Sequence, residues 1–494
     1  GAVAYYQATG KRNFLDIAIR YADCVCKNIG EGPGQKRVIP GHQIAAMALV
    51  RLYMVTGDKK YLDQAKFFLD ARGTTARKDI YLQSHKPVLE QDEAVGHAVR
   101  AGYMYSGMAD VAAITGDSSY VRAIDRIWEN IVGKKIYITG GIGARHEGEA
   151  FGDNYELPNL TAYNETCAAI GNVYTNYRLF LLHGDAKYFD VLERTLYNGL
   201  ISGVSLDGGR FFYPNPLACD GKYRFNADHT ITRQPWFGCA CCPSNISRFI
   251  PSLPGYVYAV KDDKVYVNLF LSNRAKLKVN GKNVVLEQET SYPWNGDIRL
   301  TVAKGNQPFV MNVRIPGWVR GSVLPGGLYS YADGEELAYR VSVNGQEVKG
   351  ALQKGYLSID RRWKKGDVVE IHFDMQPRVV KANDKVAADR GRVAIECGPL
   401  VYCAEWPDND FDISTLLLNR HPKFQVVEHP DLLGGINEIT TRAQALSYDA
   451  TGRLAAKDVK LTLIPYYAWA HRGEGRMEVW LPIEVGAASA ELQE

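Results

Sequence analysis

The spacing of apolar residues divides the chain into two parts with different periods. In the first part apolar residues recur every three or four positions, as in residues 44–53 and 61–69, which predicts amphipathic helices. Beyond about Gly255 apolar and polar residues alternate instead, which predicts β-strands. We therefore expect a multidomain α + β protein that is helical first and sheet-rich afterwards.

A short motif recurs between the predicted helices. An aromatic residue follows four positions after each of four glycines, and Asp directly follows the last three: Gly10, Gly57, Gly116 and Gly184. Glycine suits the left-handed residue that ends a helix, and Asp suits the N-cap of the next helix. The motif predicts αα-hairpins, which bury their apolar faces only by stacking on one another.

The linkers between these hairpins are long and carry the unusual residues, which favours a closed ring over an open solenoid. We expect residues 1–254 to form an (α/α)6 barrel that contains the catalytic site. Four hairpins and one more helix after Pro243 fall short of six pairs. An N-terminal part of the barrel is therefore expected to be missing, and with it any targeting signal.

The alternating segments predict two β domains. They cover residues 264–271, 275–279, 297–302, 310–315 and 367–373, and Asn344-Gly345 is a hairpin signal. We expect a β-sandwich at 255–376 and a smaller β-sandwich-like domain at 377–494. Neither segment contains a cluster of metal ligands or paired acids, so the β part is expected to be structural, with flanking the pocket as the alternative.

Composition narrows the functional class. The 494 residues carry a formal net charge of +3 without a basic block, which excludes a nucleic-acid interface of the usual kind. No apolar run reaches the roughly 18–20 residues of a membrane span. Nine irregularly spaced cysteines argue against a disulfide scaffold, so a cytoplasmic or periplasmic location is favoured over a disulfide-rich extracellular one.

Three of the cysteines lie within four residues: Cys239, Cys241 and Cys242, followed at once by Pro243. Pro243 is expected to occupy the first position of a helix, which places the thiols where the helix dipole favours a thiolate. Two adjacent side chains are expected to converge only where the backbone is irregular. Such a cluster suits either a soft metal ion or nucleophilic chemistry.

A second segment could complete a metal site. Glu165 and Cys167 lie just before a predicted helix at 168–182. Together with Cys241 and Cys242 they form a Cys3Glu ligand set suited to Zn²⁺. The alternative is that Glu165 caps the helix and Cys167 packs in the core.

Residues 140–151 form a glycine-rich loop after a strand-like run at 135–139. No helix is predicted after it, so a dinucleotide-binding loop is excluded, but glycines would also let the backbone approach a ligand. The loop carries His146, Glu147 and Glu149. A carboxylic acid opposite a nucleophile is what glycosidic cleavage needs, and a solvated loop glutamate is the alternative.

His42 and His97 each begin the first helix of a predicted hairpin. In a ring, both side chains would point into the same mouth and could bind sugar hydroxyls. Histidines that cap a helix or pack in the core are the alternative.

These features together resemble glycoside hydrolase family 127, the β-L-arabinofuranosidase family. The resemblance extends over nearly the whole chain. It is carried by Pro40-Gly41-His42, residues 96–101, 139–143, 148–151 and 155–159, Glu165-Thr166-Cys167, and Cys239-Ala240-Cys241-Cys242-Pro243. It implies an (α/α)6 barrel followed by two β-sandwiches.

The resemblance also implies residue roles. Zinc would be bound by Glu165, Cys167, Cys241 and Cys242, with Cys241 as nucleophile and Glu149 as general acid/base. The residues expected to contact substrate are His42, His97 and His146. A further family histidine, expected just before residue 1, is absent from this chain. Cys239 is left without a chemical role and is expected to pack as a small apolar residue.

The implied activity is that of a retaining exo-glycosidase. It would hydrolyse terminal, non-reducing β-L-arabinofuranosides of plant-type glycans, with a raised pKa on Glu149. An oligosaccharide or glycoconjugate is the expected partner, and a homodimer is also considered. The alternatives are the same mechanism on another L-furanoside or a branched acidic pectin sugar, a lyase or epimerase, and a non-catalytic carbohydrate-binding protein with structural zinc.

Overall fold

The structure is a computed structural model that describes residues 1–227 and 229–489. Its α-helices are α1 Ala2–Thr9, α2 Asn13–Asn28, α3 Ile44–Thr56, α4 Lys59–Asp70, α5 Ala98–Thr115, α6 Ser118–Lys134, α7 Thr166–His183, α8 Lys187–Thr195, α9 Cys241–Phe249, α10 Pro254–Val257 and α11 Val485–Ser489. Over these described residues, no helix is long and apolar enough to cross a membrane.

The repeated motif forms helical hairpins, as the sequence predicts. The helices α1, α3, α5 and α7 each end at a left-handed glycine, with φ of 71°, 73°, 73° and 63° at Gly10, Gly57, Gly116 and Gly184. The side chains of Asp58 and Asp117 then cap α4 and α6 by accepting the backbone N–H of Lys60 and Ser119. Each turn therefore satisfies the carbonyl end of one helix, and the two middle turns also satisfy the amide end of the next.

The first helices of the hairpins lie side by side. Helix α5 packs between α3 and α7, and α7 also packs against α9. The contact between α5 and α7 is close because a Cβ atom on Gly102 would lie 3.1 Å from the backbone of Gly171. Both helices are buried along most of their length, whereas α4 and α6 bury one face. The helical part thus has an inner and an outer layer.

The strands of the structure fall almost entirely after the helices. They are β1 Ala218–Cys219, β2 Tyr258–Lys261, β3 Lys264–Val267, β4 Asn273–Val279, β5 Lys282–Thr290, β6 Asp297–Lys304, β7 Asn306–Arg314, β8 Tyr329–Tyr331, β9 Tyr339–Val343, β10 Gln346–Glu347, β11 Tyr356–Lys364, β12 Val368–Phe373, β13 Pro377–Ala382, β14 Arg392–Cys397, β15 Leu400–Glu405, β16 Leu416–Leu418, β17 Gln425–His429, β18 Ile436–Tyr448, β19 Leu454–Pro465, β20 Met477–Glu478 and β21 Leu481–Pro482. The fold is therefore helical first and sheet-rich afterwards.

All strands from β2 to β12 except β8 form two sheets. One has the order β10-β9-β12-β6-β5-β4 and the other the order β11-β7-β3-β2. The predicted Asn-Gly hairpin is present, since Val343 pairs with Gln346 across Asn344 and Gly345, both with positive φ. This turn type matches the right-handed twist of the strands it joins.

The remaining strands form one hydrogen-bonded network of eleven strands, which also ties the parts of the chain together. Strand β8 pairs with β13 at one end of its main path, β16-β18-β19-β15-β14-β13-β8. Strand β1, from the helical part, pairs with β20. Backbone hydrogen bonds therefore link residues far apart in sequence.

Helix α8 is fixed to both sheet regions by buried ion pairs. Arg314 on β7 is fully buried and lies 2.9 Å from the Asp190 carboxylate and 2.5 Å from that of Glu193. Arg194 lies 2.6 Å from the buried carboxylate of Glu396 on β14. Each of these buried groups has a partner of opposite charge close by, and this attraction offsets part of the free-energy cost of removing the charges from water.

Two local predictions differ from the structure. The strand-like run at 135–139 contains only an isolated bridge between Ile136 and Ile142. Helix α9 begins at Cys241, two residues before Pro243. The prediction of an irregular backbone at the adjacent cysteines is therefore wrong. The non-helical residue is Ala240, and both cysteines belong to the first turn of the helix.

We expect Arg314→Met to lower the free energy of unfolding by about 3–5 kcal/mol, because it leaves Glu193 buried without a counter-charge and Asp190 with Arg320 as its remaining partner. Urea denaturation followed by circular dichroism measures this. Arg299→Met is the matched control, since it removes a half-exposed pair with Glu370, and it should cost less than about 1 kcal/mol. If both variants lost the same free energy of unfolding, the buried ion pairs of Arg314 would not have the stabilising role assigned to them.

Candidate active site

Two helix N-termini bring the predicted metal ligands together. Glu165 is the N-cap of α7 and Cys167 is its second residue, while Cys241 and Cys242 begin α9. One ligand atom from each of the four lies within 4.8 Å of all the others. The Sγ atoms of Cys241 and Cys242 are 4.0 Å apart, so the first turn of a helix suffices for adjacent thiols to converge.

The donor set fits a metal ion. Glu165, Cys167 and Cys242 are buried, and Glu165 makes no side-chain capping bond to α7, contrary to the capping alternative. Its Oε2 atom is buried without a hydrogen-bond partner among the described residues. Three sulfurs and a carboxylate oxygen are ligands that a soft or borderline dication accepts. The cluster can therefore bind a metal ion.

The electrostatics of the cluster distinguish its three thiols. Hydrogen bonds from Cys167 and Cys242 lower the pKa of Cys241, whereas burial raises the pKa of Cys242. Cys241 is also the only partly exposed thiol of the three. The negative charge of the cluster thus concentrates on the one sulfur that a ligand can reach.

Glu149 lies next to this cluster. Its Oε2 is 2.8 Å from Nε2 of His97, and ligand atoms of His97, Glu149 and Glu165 lie within 4.8 Å of one another. Backbone pairing fixes this arrangement, because Ala150 forms bridges with both His97 and Arg145. The glycine-rich loop is therefore tied to the start of α5.

The loop glycines serve packing. A Cβ atom on Gly140 would lie 2.4 Å from the Thr195 side chain, and one on Gly141 would lie 2.8 Å from that of Asn164. These two glycines were expected to let the backbone approach a ligand. In the structure they instead allow the loop to pack closely against α8 and against the segment that carries Glu165. That contact places Glu149 relative to the thiols.

The pKa of Glu149 differs from the expectation. Burial raises it, but the hydrogen bond from His97, together with one from Tyr163, leaves the pKa below its ordinary value. Nδ1 of His97 accepts the backbone N–H of Val99, so a neutral ring carries its proton on Nε2 and donates it to Glu149. The carboxylate is therefore ionised while this hydrogen bond exists.

His42 lies at the start of α3, one residue before the N-cap Gln43. Its Nδ1 accepts the backbone N–H of Ile44, two residues on, as His97 does on α5. Burial and the charge of Arg100 lower the pKa of His42 to about 4, so the ring is neutral at neutral pH. Each histidine therefore both caps a helix and presents an Nε2–H donor.

His146 is placed differently. Its ring lies 4.6 Å from that of Tyr163 and 6.0 Å from that of Tyr223, on a cleft that also includes Glu149. Burial lowers its pKa, and its Nε2 has no hydrogen-bond partner among the described residues. His42 and His97 do not line this cleft, so His146 is the one of the three predicted histidines that does.

Sequence patterns missed Tyr213, whose hydroxyl lies 2.8 Å from the sulfur of Cys241. Its carbonyl accepts the backbone N–H of Thr166, which fixes it to the start of α7. Nothing in the spacing of residues 211–214 indicates this contact. The same hydroxyl lies 3.9 Å from Cys239, which is exposed, so the packing role expected for that cysteine is wrong.

Comparison with known proteins gives a consistent result. Residues 1–255 match the family described as β-L-arabinofuranosidase, GH127 catalytic domain. Residues 264–375 match the GH127 middle domain, and residues 377–482 match the glycoside hydrolase family 127 C-terminal domain.

Individual relatives of the chain belong to the same family as the matching domain models. A non-reducing end β-L-arabinofuranosidase of Bifidobacterium longum subsp. longum is 36% identical over 525 residues, which cover 97% of this chain and 76% of that protein. A solved GH127 β-arabinofuranosidase is 76% identical with a TM-score of 0.95 and covers 98% of this chain and 75% of its own. A GH127 β-L-arabinofuranosidase from Geobacillus stearothermophilus T6 is 41% identical with a TM-score of 0.90, covering 97% and 78%.

The family matches cover all three parts of the chain and confirm the resemblance drawn from its motifs. The chain therefore belongs to glycoside hydrolase family 127 and is a glycoside hydrolase, an enzyme class that acts on glycans.

Proposed function

We propose that this protein is a retaining exo-β-L-arabinofuranosidase that releases terminal, non-reducing β-L-arabinofuranose from glycans. The observation that carries the proposal is the position of Glu149 beside a cluster that contains one accessible, acidified thiol, Cys241. A nucleophile and a proton donor side by side are what a double displacement at a glycosidic carbon needs.

Zinc is the metal we assign to the cluster, bound by Glu165, Cys167, Cys241 and Cys242. When bound, a zinc ion keeps coordinating thiols deprotonated at neutral pH and moderates their basicity. The N-termini of α7 and α9 add partial positive charge at the same place. The protein thus favours the thiolate form of Cys241, and Tyr213 holds that sulfur by a hydrogen bond.

In the first step the Cys241 thiolate attacks the anomeric carbon. The carbon–oxygen bond to the leaving group breaks as the carbon–sulfur bond forms, and Glu149 gives its proton to the departing oxygen. Burial and the charge on Cys241 both raise the pKa of Glu149. A sugar hydroxyl that takes over the hydrogen bond of His97 removes the largest influence that lowers the pKa of Glu149 and so favours its protonated form.

In the second step Glu149 acts as a base. It removes a proton from a water molecule that attacks the same carbon, and the carbon–sulfur bond breaks to restore the Cys241 thiolate. Two inversions at one carbon give net retention. His42 and His97, with their protons on Nε2, are assigned to hydroxyls of the arabinose ring.

We also propose the finer architecture. The helical part is assigned to an (α/α)6 barrel, with α3, α5, α7 and α9 as consecutive inner helices whose N-termini face the site. This assignment is supported by the packing order of those helices. We place the domain limits at 254/255 and 376/377 and assign both sheet-rich parts to β-sandwiches.

We expect Glu149→Gln to lower kcat on an aryl β-L-arabinofuranoside by roughly 10²–10⁴-fold, which is the usual contribution of a general acid/base to the rate. Glu147→Gln, an exposed glutamate two residues away in the same loop, should leave kcat near that of the parent enzyme. With a good leaving group the first step needs little acid. Glu149→Gln should therefore accumulate a pentosyl adduct on the peptide that contains Cys241, visible by mass spectrometry.

Cys241→Ser should form no adduct and show no turnover. Near-normal activity of either the Glu149 or the Cys241 variant would exclude the mechanism. The alternative glycones are tested by assaying the parent enzyme on a panel of aryl furanosides and on a pectin-type acidic sugar.

We expect one zinc ion per chain, and Cys167→Ser to lower the zinc content measured by mass spectrometry of the elements. The thermal unfolding temperature should fall with it, because a metal that binds only the folded state stabilises that state. Cys24→Ser, at an exposed cysteine on α2, is the control and should retain the metal. Full zinc content in Cys167→Ser would exclude this ligand set.

A further inference from the structure

A cleft of about 490 Å³ extends from Glu149 over the surface of the helical part. Its walls include His146, Tyr163, Tyr213, Tyr223 and Arg224. The volume lies within the range of small-ligand sites. The residues assigned to zinc do not line this cleft, nor do His42 and His97, so it lies beyond the place assigned to the arabinose ring.

The position of Glu149 determines what the cleft can hold. An acid that protonates the leaving oxygen must touch that oxygen, so the leaving group has to continue away from Glu149 on the side opposite the arabinose. His42 and His97 are assigned to the arabinose ring and do not line the cleft, whereas Glu149 does. The other walls of the cleft are therefore next to the group that departs.

We propose that this cleft is a subsite for the leaving group and that its occupant is a neutral sugar residue, bound by Tyr223 and by the ion pair of Arg224 with Glu474. The inference rests on the proposed function, because it takes Glu149 as the acid.

Tyr223 provides the flat surface. Its ring is half-buried and lies edge-on to His146, which packs in turn against Tyr163. The backbone N–H of Tyr223 donates to Asp220, 2.7 Å away, which fixes the loop locally. An aromatic ring held in place in this way can pack against the apolar C–H face of a sugar with little loss of side-chain entropy.

The ion pair provides polar recognition without net charge. Nη1 of Arg224 lies 3.2–3.3 Å from both carboxylate oxygens of Glu474, and both side chains are about half exposed, at 49% and 51%. Nε and Nη2 of Arg224 have no hydrogen-bond partner over the residues that the structure describes. A donor and an acceptor side by side suit neighbouring hydroxyls, and the compensated charge gives no advantage to a carboxylate-bearing sugar.

Glu474 comes from the sheet-rich C-terminal part. The segment around it approaches the Tyr223 loop closely, since a Cβ atom on Gly221 would lie 3.9 Å from Gly475. The rim of the cleft is therefore built by two parts of the chain about 250 residues apart. This gives the C-terminal region a role in choosing the substrate.

The test compares two substrates of the purified protein. One is a neutral disaccharide, β-L-arabinofuranosyl-L-arabinose. The other is methyl β-L-arabinofuranoside, whose leaving group is too small to reach Tyr223. We expect Tyr223→Ala to lower the ratio of kcat/KM for the disaccharide to that for the methyl glycoside by about tenfold, mainly through KM. Tyr223→Phe, which keeps the ring, should retain most of the ratio.

Charge is tested separately. Glu474→Gln leaves Arg224 without its counter-charge, so the kcat/KM for a disaccharide whose second sugar is a uronic acid should rise relative to the neutral one. Tyr339→Ala is the control, at an exposed tyrosine on β9 away from the cleft, and it should change neither ratio.

The outcomes separate the two proposals. If the parent enzyme hydrolyses neither substrate, the proposed function is wrong. If it hydrolyses both and Tyr223→Ala keeps the ratio within about twofold, or lowers kcat/KM equally for both, the leaving-group subsite is wrong and the function stands. If Glu474→Gln leaves the preference for a neutral second sugar unchanged, the assigned role of the ion pair is wrong.

Discussion

The site depends on one constraint, the meeting of helix N-termini at a single point. Helices α3, α5, α7 and α9 begin with His42, His97, Glu165 and Cys241 at or next to their caps. Unpaired backbone N–H groups and the helix dipoles make this the place where the protein best tolerates negative charge. The three thiols and the Glu165 carboxylate can be brought together there because each lies at a helix end, where its backbone direction is fixed. Glu149 reaches the same place from the glycine-rich loop.

The same ends determine the state of the histidines. A backbone N–H donated to Nδ1 leaves the proton on Nε2, and this holds for both His42 and His97. The tautomer is therefore set by the helix cap and needs no further residue. Because His97 donates this proton to Glu149, the acidity of Glu149 is coupled to whatever occupies the hydrogen bond of His97.

The sheet-rich parts do more than enclose the helical part. Arg314 and Glu396 hold α8 through buried charges, and α8 in turn receives the glycine-rich loop at Thr195. The loop that carries Glu149 is thus supported from the β side of the molecule. Glu474 of the sheet-rich C-terminal part pairs with Arg224, which lines the cleft. The sheets therefore support the site structurally and also lie beside the cleft, which was the alternative role expected for them.

The sequence by itself determined the order of helices and strands, the hairpin turns and the four candidate ligands. These depend on local rules: periodicity, the left-handed glycines, and the few residue types that bind zinc. Tertiary structure alone decided that Tyr213 contacts Cys241, that Cys239 is exposed, that His146 lines a cleft with Glu149, and that the pKa of Glu149 is lowered. Each of these depends on which distant segments touch, and no spacing along a single chain encodes a contact between segments that meet only on folding.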